Sequence, residues 1–154
     1  MKRVLVAVIV LGVGGAGYAA RALATAGTQQ VHGRLVSQAL TSGCTSPVGI
    51  CTAGRLEGTI NGDFVFTMSS HPPSSTPDVF FYNGEIVVQT SKGELRCSDA
   101  GAYSFADPSG PNVELCTITS GTGDWAGVSG NIRLHGTFTD AGGGDAYFEG
   151  ELSH

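Results

Sequence analysis

Residues Asn131 to Leu152 read NIRLHGTFTDAGGGDAYFEGEL, and the reading of this stretch decides the fold. In its first half Ile132, Leu134, Gly136 and Phe138 alternate with Arg133, His135, Thr137 and Thr139. In its second half Ala146, Phe148, Gly150 and Leu152 alternate with Tyr147, Glu149 and Glu151. A period of two places the sets on opposite faces of an extended strand, so each half predicts a strand with one buried and one wet face. Between them, Asp140-Ala141-Gly142-Gly143-Gly144-Asp145 supplies turn residues, and the pair predicts a hairpin. Its wet face sets Arg133 and His135 near Glu149 and Glu151, an ordinary cross-strand charge arrangement.

No window holds a sustained helical period. β-Branched and aromatic residues recur instead in short runs: Val31 to Leu40, Arg55 to Ile60 continuing through Phe64 to Ser70, Val79 to Tyr82 continuing through Glu85 to Thr90, Glu94 to Ser98, Ala102 to Phe105, and Val113 to Thr119. Asn61-Gly62-Asp63 and Asn83-Gly84 interrupt two of these runs. Both are read as bends within long strands, with hairpin turns as the alternative. Ser70 to Pro77 contains Pro72, Pro73 and Pro77 and predicts a loop, because Pro cannot serve a central ladder. The total is about eight strands, and the 24 Gly among 154 residues mark turns and bends. The fold class is all-β. Eight short strands fit a sandwich or a closed barrel, and only closure leaves no exposed edge.

The N-terminus is a targeting segment. Lys2 and Arg3 precede an apolar run from Val4 to Leu11, followed by small residues through Ala20 and by Ala22-Leu23-Ala24 and Ala24-Thr25-Ala26. This order predicts a secretory signal peptide over residues 1–26. An uncleaved anchor fits less well, because Gly12, Gly14, Gly15 and Gly17 dilute the run and Arg21 stops it short of the ~20 residues a spanning helix needs. Cleavage leaves residues 27–154, with Arg34, Arg55, Lys92, Arg96 and Arg133 against thirteen carboxylates, a net charge of −8. A secreted chain of this charge, extracellular or periplasmic, is a poor partner for nucleic acid or anionic membrane, and no stable membrane insertion is expected after cleavage.

Export exposes Cys44, Cys51, Cys97 and Cys116 to oxidising conditions, which favours two disulfides over a metal site or reactive thiols. Zinc sites use close Cys pairs or accompanying His, and this spacing offers neither. Of three connectivities, the favoured one joins Cys44 to Cys51, stapling a loop with Pro47 and Gly49, and Cys97 to Cys116, tying neighbouring strands.

Two blocks carry a resemblance. Ser120 to Phe138, SGTGDWAGVSGNIRLHGTF, looks like the late-chain signature of the allene oxide cyclase barrel-like family, in which a Gly-Thr-Gly-x-aromatic-Ala-Gly-x-x-Gly turn leads into a strand ending in Gly-x-Phe. Ser46 to Thr67, SPVGICTAGRLEGTINGDFVFT, is similar to segments of exported bacterial members. The resemblance implies a single eight-stranded antiparallel β-barrel over residues 27–154 with an apolar cavity, related in shape to plant allene oxide cyclases and dirigent proteins. Those proteins steer a reactive small molecule by cavity shape, and the resemblance also leaves room for a homo-oligomer formed through the outer face. A shared barrel does not transfer an activity. No cyclase carboxylate matches a numbered position here, so no catalytic residue is assigned.

The remaining chemical motifs read as structure. Gly121-Thr122-Gly123-Asp124-Trp125-Ala126 has the outline of a dinucleotide fingerprint but no following helix, and it is read as a tight turn with Trp125 plugging one end of a barrel. Gly127-Val128-Ser129-Gly130 falls short of a nucleophile elbow. Asp140 and Asp145 lack the tandem repeats that gather calcium, and His32, His71, His135 and His154 show no ligand spacing, so neither metal nor cofactor is expected. Glu57, Glu149 and Glu151 fall on wet faces, and acid–base work requires a carboxylate that points inward. Paired carboxylates for glycoside hydrolysis would need an aromatic-lined cleft, and aromatics are only 8% of the chain.

The aromatic set Phe64, Phe66, Phe80, Phe81, Tyr82, Phe138 and Phe148 either fills a small barrel or lines a cavity. On the cavity reading the ligand-binding residues are Phe64, Phe66, Phe81, Tyr82, Asn83, Tyr103, Phe138 and Phe148, with Ser37 and Thr90 as further orienting groups. The expected function is a secreted barrel that binds a small apolar ligand. The alternatives are a cofactor-free isomerase, cyclase or dirigent-like protein acting by cavity shape, and a non-catalytic extracellular structural or interaction domain.

Overall fold

The computed structural model describes residues 27–107, 109–139 and 143–154; the signal peptide expected over residues 1–26 lies outside them. Eight strands follow one another: β1 (Thr28–Ala39), β2 (Cys51–Gly58), β3 (Gly62–Ser70), β4 (Val79–Thr90), β5 (Gly93–Ser104), β6 (Pro111–Gly121), β7 (Ser129–Phe138) and β8 (Gly144–Ser153). Each pairs antiparallel with the next, and β1 returns to β8 over a ladder from Thr28↔Ser153 to Ser37↔Gly144, closing the barrel. The choice between sandwich and barrel thus falls to the barrel, with every edge paired.

Strand boundaries depart from expectation in two places. The run from Arg55 to Ser70 is two strands, because β2 and β3 pair back on each other from Cys51↔Thr67 to Leu56↔Gly62. Asn61-Gly62 therefore belongs to a hairpin and not to a bend. The turn is tied to β1 through Thr59 Oγ1, which accepts from the His32 N–H at 2.7 Å, and Ile60 is buried at that end of the barrel. Conversely, Glu94 to Ser98 and Ala102 to Phe105 fall largely into one strand. Asp99, Ala100 and Gly101 join them because β4 and β6 pair with these residues from both sides. Asn83-Gly84 does remain inside one strand, with β3 shifting register opposite it between Met68 and Ser70. In the β7–β8 hairpin Arg133 faces Glu149 at 3.6 Å, whereas His135 lies against Tyr147 instead of a glutamate.

Both favoured disulfides are present. Cys44–Cys51 ties the β1–β2 loop to the start of β2, and Cys97–Cys116 joins β5 to β6 inside the barrel. Around the inner bridge, Leu56, Ile60, Val88, Leu95, Ile118, Ile132 and Leu152 fill one end of the interior. That end is plugged by Trp125 from a short 3-10 turn, Gly123–Trp125, whose indole N–H donates to Thr90 Oγ1 at 2.9 Å.

The glycine excess does more than make turns. Strand alternation points Gly54, Gly101, Gly136 and Gly144 inward toward the opposite end, together with Ser37, Thr52 and Ala146. An eight-stranded barrel is just wide enough for large side chains to fill it, so small ones leave that half open. At Gly33 the reason is close approach: the Phe148 ring packs against it, and a Cβ there would lie 2.6 Å from the ring and 2.2 Å from the Glu57 carbonyl oxygen. On the outer surface Phe81, Val113 and Leu115 are exposed, with Val113 at 60%, and register brings Ala100 and Ala102 between them as an apolar patch over β4, β5 and β6.

Two stability outcomes are expected in urea unfolding. Gly33→Ala should cost about 1–3 kcal/mol by overpacking. Removing Cys97–Cys116, which closes a separation of 19 residues, should cost about 3 kcal/mol and more than removing Cys44–Cys51, which closes only 7. A larger loss from the loop bridge would contradict the placement of Cys97–Cys116 in the core.

Candidate functional site

The open half of the barrel encloses a cavity of about 450 Å³, inside the roughly 300–1,000 Å³ range of small-molecule sites. Its wall is built by Leu35 of β1, Thr52 of β2, Phe64, Phe66 and Met68 of β3, Phe80, Tyr82 and Ile86 of β4, Tyr103 of β5, Glu114 of β6 and Phe138 of β7, with Ile50, Phe105 and Thr139 nearer the loops. The rings brace one another. Phe66 meets Tyr82 edge-on at 5.7 Å, and Phe105 meets Tyr103 at 4.7 Å and Phe80 at 6.2 Å. Phe105 is also 53% exposed, which makes the rim of the cavity apolar.

Among the described residues one carboxyl group stands in this wall. Glu114 Oε1 accepts from Asn112 Nδ2 at 2.6 Å. Tyr82 approaches from the other side: register sets Tyr82, Gly101 and Glu114 opposite one another across three strands. Because Gly101 has no side chain, the Tyr82 ring can cross β5, and a Cβ at that position would lie 2.3 Å from the ring. The hydroxyl thereby reaches the Glu114 carboxylate. One inward position deeper on β5 lies Asp99, 1% exposed. Neither of its oxygens has a hydrogen-bond partner among the described residues, and neither does Asn112 Oδ1.

Burial dominates the electrostatics. It pushes the Asp99 carboxyl up to about 8, with the charge of Glu114 as a second cause. Burial also pushes Glu114 up to about 7, against the hydrogen bonds from Tyr82 and Asn112 that hold it down. The Tyr82 hydroxyl is held above its usual range, first by burial and then by the charges of Glu114 and Asp99. Two carboxyls in one apolar interior resist ionising together, so they titrate as a pair that keeps a proton near neutral pH. Basic groups lie elsewhere: Arg34, Arg55, Arg96 and Arg133 pair with carboxylates on the outer surface, and Lys92 sits over the Trp125 ring. Among the described residues no three His, Cys, Asp or Glu side chains gather as a metal ion would require.

Of the residues expected to contact a ligand, Phe64, Phe66, Tyr82, Tyr103 and Phe138 lie in the cavity wall. Phe81 and Asn83 require correction. Tyr82 points inward, so its neighbours point outward: Phe81 is 41% exposed, and Asn83 Nδ2 donates to Ser70 Oγ at 3.3 Å. Phe148 is also corrected, since it is buried against Gly33 in the packed core and does not line the cavity. Thr90 serves the Trp125 plug, and Ser37 is buried on β1 with its hydroxyl against Gly144. Asp99, Asn112 and Glu114 were not anticipated. The bridge Cys97–Cys116 contained the signal, because alternation from each cysteine turns Asp99 and Glu114 to the same inner face.

The folded chain keeps its two inner protons up to about 8 and 7, whereas unperturbed carboxyls release them near 3.8 and 4.5. The stability this pair contributes is therefore whole below about pH 4, falls as pH rises, and is gone above about pH 8. The surface acids act elsewhere: Glu94 is held down by Arg96, Asp107 by the Ser109 N–H and Asp145 by Arg34, so the stability they contribute is lost only as pH falls through and below the ordinary values of 4.5 and 3.8. Urea midpoints should decline from pH 5 to pH 8.5, and Asp99→Asn should flatten the slope. A wild-type midpoint that rises across this range would contradict an inner carboxyl pair.

No protein-family model matches this chain, and no curated protein does. Among solved structures it is similar to a pterocarpan synthase dirigent protein, at 13% identity over 84% of this chain and 89% of that chain, with a TM-score of 0.38. A likeness this distant says nothing about activity, and what this barrel can do rests on its own interior.

Proposed function

We propose that this protein is a secreted barrel that binds a small, mainly apolar molecule in the open half of its interior. The observation that carries the reading is the 450 Å³ cavity, walled by aromatic and aliphatic side chains and bearing, among the described residues, a single carboxyl, Glu114, held by Asn112 and Tyr82. Apolar walls supply affinity through burial, and a few fixed polar groups set orientation. The two disulfides support an oxidising location, and the two sequence blocks around Thr52 and Trp125 support membership in the allene oxide cyclase barrel-like family, in its exported bacterial branch. The apolar patch over β4, β5 and β6 supports self-association through the outer face.

A second reading is favoured by one observation, the inward carboxyl pair. A cofactor-free isomerase, cyclase or dirigent-like protein needs an acid, base or hydroxyl inside the cavity, and Glu114 and Tyr82 provide these at its wall. Glu114 near its midpoint at neutral pH is suited to accepting or giving a proton. Incubation with an unstable unsaturated epoxide, followed by chiral chromatography, separates the readings. Enantiomeric excess that disappears in Glu114→Gln supports catalysis, and a racemic product removes it.

Binding itself is tested with the uncharged fluorophore N-phenyl-1-naphthylamine. Its emission should rise and shift to the blue on saturable binding, and Thr52→Trp, which sends an indole into the cavity, should weaken binding at least tenfold. Binding unaffected by Thr52→Trp would place the dye outside the barrel.

A further inference from the structure

We propose that the barrel selects hydrophobic amines, seating a protonated nitrogen at Glu114 with Asp99 behind it and the apolar part of the molecule among the aromatic rings. This inference rests on the ligand-binding reading above and adds the chemical class of the ligand. Its basis is an imbalance inside the barrel. Among the described residues the interior holds two carboxyl groups, and every arginine and lysine is engaged on the outside or at the Trp125 plug. The buried polar atoms left without partners are Asp99 Oδ1 and Oδ2, Asn112 Oδ1 and Ser37 Oγ. With the pair's proton on Asp99, two of the four, the second Asp99 oxygen and Asn112 Oδ1, only accept. None of the four lines the cavity, so a ligand there meets the polar interior through the Glu114 carboxyl, to which an alkylammonium group brings both donors and positive charge.

The groups facing Glu114 agree from each packed element. β4 presents Tyr82, β5 presents Asp99 one position deeper, β6 presents Asn112, and β7 presents Leu134 opposite it in register. None of these supplies a cation, so none competes with an ammonium for the carboxylate. The wall adds to the preference, since Phe66, Phe80, Tyr82 and Tyr103 offer ring faces and edges around the cavity, and ring faces attract a desolvated cation. A carboxylate ligand meets the opposite field and is disfavoured. A neutral alcohol gains a hydrogen bond but leaves the carboxyl charge without a counterion.

Three molecules with one carbon skeleton test this at pH 7.5: 4-phenylbutylamine, 4-phenylbutanol and 4-phenylbutyrate, each displacing N-phenyl-1-naphthylamine from the protein. The amine should displace the dye at a concentration at least tenfold lower than the alcohol, with the carboxylate weakest, and Glu114→Gln should bring amine and alcohol within threefold of each other. Amine and alcohol equal on the wild-type protein overturn amine selection while leaving the ligand-binding reading intact. An amine preference that survives in Glu114→Gln overturns the assignment to this carboxyl. Failure of the dye to bind the wild-type protein at all overturns both readings together.

Discussion

Closure of the sheet between β1 and β8 is the constraint from which the rest follows. Eight strands joined edge to edge fix the width of the interior, so the backbone decides the space and the inward side chains decide whether it is filled. Around the Cys97–Cys116 bridge, leucine, isoleucine and valine fill it, and Trp125 seals that end. Toward the long loops, glycine, alanine, serine and threonine take the inward positions and a cavity remains. One barrel thus contains a solid core and a pocket, stacked along its axis.

The same closure makes the polar content of the interior consequential. A carboxyl turned inward from a two-layer sheet with an exposed face can still find water at its margin, whereas within a closed ring it meets only what the other strands present. Asp99 is deep enough to have no partner, and Glu114 is partnered yet in contact with the void. Burial raises the proton affinity of both and the charge of Glu114 raises that of Asp99 further, so the pair acts as a proton reservoir beneath an apolar pocket. The binding and the catalytic readings proposed above would both draw on this pair.

Much of the architecture was legible in the chain. The alternation from Ile132 to Leu152 marked inner and outer faces correctly, the Cys spacing pointed to the observed bridges, and Trp125 sits as a plug at one end. Strand boundaries were less legible, since Asn-Gly relieves the backbone equally in a hairpin and in a bend; Asn61-Gly62 took the first course and Asn83-Gly84 the second. The polar site was hidden for a different reason. On β6 the apolar Val113 and Leu115 point outward while Asn112 and Glu114 point inward, so hydrophobicity assigns the faces in reverse. Only the parity of Cys116 and Ile118 corrects it. Phe81 misleads in the same way, as an exposed aromatic beside the inward Tyr82.

The inward turn of β5 and β6 is the central claim, because the pocket's one carboxyl among the described residues and its buried neighbour both depend on it. Site-resolved carbon-13 NMR of the Asp99 and Glu114 carboxyl groups across pH 3 to 9 tests it most directly. The account expects both to titrate together near 7 to 8, with the deeper Asp99 the later of the two. Independent titration of both groups near pH 4 would put them in water on the outer face and contradict the account.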